Sequence, residues 1–182
     1  MDSGNVTYII GQSLSVLAVV VGFIAFQMKT PKTMLIFQIA TSLIFSAHYF
    51  LIGAMTAMTL NLVSAVKYVC YYIRDKREKK GLFIPIFFTI LVIITSVLTW
   101  DRWICIFIMT GLVINSISFA LTNAQLIRKL NLIKAPLCLI YNVAVFSTGG
   151  IFYESFTLIS SIIGIIVNRK NSKSKGNDYG EI

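Results

Sequence analysis

Acid is scarce in this chain: seven Asp and Glu stand against 16 Lys and Arg, and there is a single histidine, His48. That scarcity removes whole classes of chemistry. There is no carboxylate pair, no HExxH, no GxSxG and no phosphate-binding loop, and one imidazole limits acid–base work, so no catalytic residue and no enzyme activity are expected. Three cysteines, Cys70, Cys105 and Cys138, all sit in apolar runs without metal-site spacing; they read as buried free thiols, with no metal and no cofactor expected. A secretory leader is lacking too, because Asp2 stands where a positive region belongs and the first apolar run is too long, so that run is expected to stay as a membrane helix.

What the chain has is apolar length. Hydrophobic residues make up 57% of it, with 13 Phe and 8 Tyr, against about 45–50% in soluble domains. Several runs reach about 18–20 residues with few or no charges, enough for a helix to cross roughly 30 Å of hydrocarbon. The net charge of +9 follows from topology. Fourteen of the 16 basic residues fall in four alternate polar segments: Lys29 and Lys32; Arg74 to Lys80; Arg128, Lys129 and Lys134; Arg169 to Lys175. The intervening turns hold only Arg102. This positive-inside asymmetry explains the charge without nucleic acid, and makes the lipid bilayer the expected partner.

Apolar runs between punctuation predict seven helices: Ile9 to Gln27, Thr33 to Ile52, Ala54 to Ile73, Leu82 to Thr99, Ile104 to Thr122, Leu132 to Phe146, and Ile151 to Asn168. Pro31, Pro85 and Pro136 fall near starts, where a missing amide is tolerated. An odd number of crossings puts residues 1–8 outside and the tail 169–182, read as disordered, in the cytoplasm behind a basic loop at 74–81. Sliding the chain on itself by 96 residues brings Gly53 onto Gly149, Leu62 onto Leu158, Ser64 onto Ser160 and Phe50 onto Phe146 without a gap. The expected fold is therefore an all-α membrane protein with seven transmembrane helices. Two parallel three-helix bundles (9–73 and 104–168) are joined by a linker helix (82–99), the three-one-three arrangement of SWEET transporters.

The run "HYFLIGAMTAMTLN" (His48 to Asn61), with "IYN" (Ile140 to Asn142) and "TGGIFYE" (Thr148 to Glu154), resembles the YgjV family of small bacterial inner-membrane proteins, which implies a location in that membrane. The layout is more remotely similar to SWEET and PnuC transporters. Unlike SWEET repeats, the first helix of each unit here lacks proline. A SWEET-type sugar site takes an Asn from the third helix of each bundle; Asn61 supplies one, with Thr157 opposite it in the 96-residue register.

Polar groups inside the runs are the candidate site, since they are costly in lipid and usually face a bundle interior or a water cavity. Asn61 reads as a contact for a solute or as interhelical glue. Asn61 and Ser64 from the first bundle, with Asn115, Tyr141, Asn142 and Ser160 from the second, form the candidate substrate-binding set. His48, one turn from the outer end, reads as a proton-coupling or gating residue or as a hydrogen-bonded structural group. Glu154 is expected at the start of the last helix, near water, capping it or coupling. Lys67 is expected to snorkel to the cytoplasmic surface. The resulting expectation is a transporter or facilitator of a neutral or weakly charged polar solute, a sugar or vitamin precursor among the options. The alternative is a non-transporting membrane protein that binds a partner through "RDKREKKG". Neither reading fixes an oligomeric state.

Overall fold

The structure, a computed structural model, describes residues 3–28, 31–76, 83–118 and 124–178. It comprises α1 (Ser3–Gln27), α2 (Pro31–Leu51), α3 (Met55–Lys76), α4 (Phe83–Leu98), α5 (Cys105–Ser118), α6 (Ala124–Ala144) and α7 (Thr148–Asp178), with no strand among the described residues. Among the described residues three helices are long and apolar enough to cross a membrane: Val6–Ala25 in α1, Lys32–Leu51 in α2 and Thr148–Val167 in α7. The apolar helices α4 and α5 are shorter. In α3 and α6 the apolar character is diluted by polar groups, among them Asn61, Ser64, Lys67, Lys134 and Asn142, that face inward.

Several helices run past their expected bounds. The first residues of the chain, expected as an external segment, belong to α1 from Ser3 onward, and α7 carries the expected disordered tail as helix to Asp178. α6 starts at Ala124, well before the expected Leu132, which puts Lys134 and Pro136 in its interior and no longer in a basic loop. Most of that expected loop between α3 and α4, and the last residues expected in the fifth helix, lie outside the described residues.

Surface and interior are inverted relative to a protein in water. α4 exposes Phe83, Ile86, Phe87, Ile90, Ile94, Val97 and Leu98, while Ser15, Thr41, Ser42, His48, Thr56, Ser64 and Lys67 are buried. Lipid accepts the first set at no cost and penalises the second unless it is paired inside. Consecutive helices pack on each other, α7 closes the ring against α1, and α4 lies over the seam where α3 touches α5.

Burial recurs along the chain at a spacing of 93, not 96. Ser15, Ala18 and Gly22 of α1 correspond to Ile108, Gly111 and Asn115 of α5; Thr41, Phe45, His48 and Tyr49 of α2 to Lys134, Cys138, Tyr141 and Asn142 of α6; Thr56, Ala57 and Ser64 of α3 to Gly149, Gly150 and Thr157 of α7, all buried. In the 96-residue register Thr56, His48 and Ser64 would match Phe152, Ala144 and Ser160, which are exposed. The two registers differ by about one helical turn, so the hydrophobic pattern scarcely distinguishes them. The turns agree with 93: α2 and α6 each end on a left-handed residue, Gly53 (φ 76°) and Phe146 (φ 53°). In each, the next amide bonds back to the helix, Ala54 N to Tyr49 O at 2.9 Å and Ser147 N to Asn142 O at 2.9 Å.

Gly53 and Gly149, matched in sequence, serve different ends. Gly53 supplies backbone freedom in open space, whereas a Cβ on Gly149 would lie 2.6 Å from the backbone carbon of Ser15 in α1. Gly149→Ala is therefore expected to cost about 1–3 kcal/mol by forcing α1 from α7, and Gly53→Ala about 1 kcal/mol through its φ alone. Denaturation of the two variants in detergent, with Gly149→Ala the weaker, checks this.

Candidate functional site

A cavity of about 70 Å³ lies among α2, α3, α5, α6 and α7. Helical spacing aims its walls: Gln38, Ser42, Phe45 and Tyr49 follow one face of α2, Asn61, Ser64 and Tyr68 one face of α3, and Lys134, Cys138 and Asn142 one face of α6. Asn115 enters from α5, and Gly150, Tyr153 and Glu154 from α7. A second space of about 190 Å³ adjoins it toward the ends of α2, α5 and α6 where Met34, Ser118 and Ile127 sit; both are bordered by Gln38, Tyr68, Asn115, Lys134 and Tyr153. A third, of about 360 Å³, opens at the other end among Gly53, Asp101, Arg102 and Tyr141.

The centre of the site is an ion pair. Lys134 Nζ lies 3.0 Å from Glu154 Oε1, and the two side chains are only 9% and 8% exposed. α7 begins at Thr148, so Glu154 sits in its second turn, inside the bundle, and not at a hydrated helix start. Lys134 Nζ also lies 5.9 Å from the centre of the Tyr153 ring. Lys67 likewise stays inside, at 0% exposure, with its Nζ donating to Ser116 Oγ at 3.3 Å and lying 5.3 Å from the Tyr68 ring centre. The expected path outward for its stem is not taken.

Of the expected substrate-binding residues, Asn61, Ser64, Asn115 and Asn142 border the central cavity. Tyr141 faces the third space, and Ser160 is exposed on the surface of α7, while its neighbour Ser161 is buried. The asparagines are partly engaged: Tyr49 Oη donates to Asn142 Oδ1 at 2.5 Å, Asn115 Nδ2 to Tyr68 Oη at 3.3 Å, and Asn61 Nδ2 to the Ala57 carbonyl at 2.9 Å. Ser64 Oγ and Glu154 Oε2, both buried, have no hydrogen-bond partner among the described residues.

His48 is fully buried and outside the cavity. Its Nδ1 lies 2.8 Å from the Gly11 carbonyl, which can only accept, so Nδ1 carries the proton. Nε2 lies 2.7 Å from Ser147 Oγ, and Ser147 Oγ accepts from Gly150 N at 3.2 Å. Ser147 Oγ thus joins the His48 ring to the first turn of α7. Nearby, Gln12 donates to the Phe146 carbonyl at 2.7 Å and accepts from Thr148 N at 3.2 Å, so α1 caps the α6–α7 turn.

Sequence reading missed Lys134 as a site residue because its basic neighbours made a loop of it. The signal was the face Lys134–Cys138–Asn142, which repeats every fourth residue through "KAPLCLIYN". Among the described residues no group of three His, Cys, Asp or Glu could hold a metal ion.

Breaking the pair from one side strands a buried charge. Lys134→Met or Glu154→Gln alone is expected to lose about 3–5 kcal/mol, and Lys134→Met with Glu154→Met to recover most of it. Chemical denaturation of the three variants measures this; single variants within 1 kcal/mol of the parent would mean that water reaches the pair.

No curated protein and no solved structure matches the chain. A family model described as "Bacterial inner membrane protein", Imp-YgjV, matches residues 9–172. With its inverted surface, its apolar helices and that match over most of its length, the chain belongs to the Imp-YgjV family of bacterial inner membrane proteins.

Proposed function

We propose that this protein is a transporter or facilitator for a small polar solute, in which α1–α3 and α5–α7 are two parallel bundles rocking about the central cavity, with α4 as their linker. The observation that carries the reading is the cavity itself, a polar space holding Asn61, Asn115, Asn142 and an ion pair inside a lipid-facing shell. The 93-residue recurrence of burial supports the two-bundle arrangement, as does the packing, in which α1 on α7 is the counterpart of α5 on α3. In that register Asn61 corresponds to Glu154, not to Thr157, so each bundle gives its third helix's polar group to the same cavity. The spaces at either end would be the two approaches.

Orientation follows from charge. The end with Arg74, Arg128 and Lys129 is cytoplasmic and the end with the α2–α3 and α6–α7 turns is outside. The chemistry is passage without conversion, with no enzyme activity. A structural or partner-binding role has one specific observation in its favour, the mutual satisfaction of Tyr49 with Asn142 and of Tyr68 with Asn115, which is how interhelical glue behaves.

Two measurements separate these readings. In a background with the native cysteines replaced, Ser64→Cys in membranes is expected to react with an aqueous thiol reagent; an inert thiol favours the structural role. A thermal screen against sugars, nucleosides, vitamin precursors and amino acids should give a hit that Asn61→Ala weakens, since a ligand at about 100 times its dissociation constant adds roughly 2.7 kcal/mol.

A further inference from the structure

The hydrogen-bonding capacity left open in the central cavity is weighted toward acceptors, and the one ionised group in it is a carboxylate oxygen. Glu154 uses Oε1 on Lys134, and its Oε2 is buried without a partner among the described residues. Ser64 Oγ, also on the cavity wall, is in the same condition. Asn61 spends an amide hydrogen on the Ala57 carbonyl and keeps Oδ1 to accept. Three acceptors, one of them ionised, against two neutral donors, the Ser64 hydroxyl and the second Asn61 N–H, call for a donor-rich group, and a primary ammonium carries three N–H donors. A bare cation fits poorly, because Lys134 already stands beside the same carboxylate. A second charge of opposite sign on the ligand, placed at Lys134, removes that conflict.

Resting on the transporter reading above, we infer that the cavity binds a small amino-acid-like zwitterion, its ammonium on Glu154 Oε2, Ser64 Oγ and Asn61 Oδ1 and its carboxylate on Lys134. The ligand completes the coordination that the ion pair leaves half made. Room for a water takes about 10–15 Å³, so a cavity of about 70 Å³ limits the ligand to a few non-hydrogen atoms, the size of glycine. A larger side group needs the adjoining space past Tyr68 and Tyr153.

The test uses the purified full-length chain in detergent, melted with glycine, methylammonium, acetate, ethylene glycol and trimethylglycine at low millimolar concentration. Trimethylglycine keeps both charges, removes every N–H and controls for general solute stabilisation. Glycine is expected to give a saturable rise in Tm, with methylammonium and acetate at least tenfold weaker and the other two inert. Ser64→Ala removes an unsatisfied buried hydroxyl without touching the ion pair. It should raise the ligand-free Tm while weakening glycine about tenfold, a combination that a purely structural role for Ser64 does not produce. Equal shifts from glycine and trimethylglycine, or a glycine shift unchanged in Ser64→Ala, overturn the inference. An Asn61-dependent hit from a sugar with glycine silent overturns it while leaving transport standing. Silence from every solute together with an inert Ser64→Cys thiol overturns both.

Discussion

A polar group inside a membrane protein has no water to fall back on, and every other feature of this fold answers to that constraint. The backbone meets it by being helical. Many side chains meet it by turning inward, so that Ser15, Ser64, Asn115, Asn142, Lys67, Lys134 and the one histidine lie in the interior. The Lys134–Glu154 pair is the severest case. Two ions held at 3.0 Å with little exposure are tolerable only together, which fixes the rotation of α6 against α7 and with it the faces that border the cavity.

The same constraint explains the stitching at the turn end. The start of α7 and the end of α6 leave amides and carbonyls unpaired, and α1 supplies the partners through Gln12 and Ser15, the latter accepting from Gly149 N at 3.1 Å. His48 then ties Gly11 of α1 to Ser147 of the turn. Of the two readings the sequence left open for His48, a coupling group and a hydrogen-bonded structural one, these bonds describe the second, a three-way clasp between α1, α2 and the α6–α7 turn.

The fold was legible where chemistry and length agree. Seven apolar runs, alternate basic segments and a duplicated pattern could be read without coordinates, and so could the pull of Asn61, Ser64, Asn115 and Asn142 toward a common interior. Two things could not. The register of the duplication needed burial, because a shift of about one turn leaves an apolar helix looking the same. The places of Lys134, Lys67 and Glu154 needed partners, because a charge near a helix end reads as surface until a residue distant in sequence is found beside it. Ser160 failed for the first reason and Lys134 for the second.

The 93-residue register also separates the two halves by charge. Lys134 and Glu154 occupy positions held in the first half by Thr41 and Asn61, so the ion pair has no counterpart at the matching positions. Two identical copies of the second half, assembled as a homodimer, would bring four charges to the axis and desolvate two pairs, at several kcal/mol per ion on the order of measured burial penalties. Two copies of the first half would bring no such pair, only the buried Lys67 of each. With the ion pair on one side only, the cavity has one charged wall and one neutral wall.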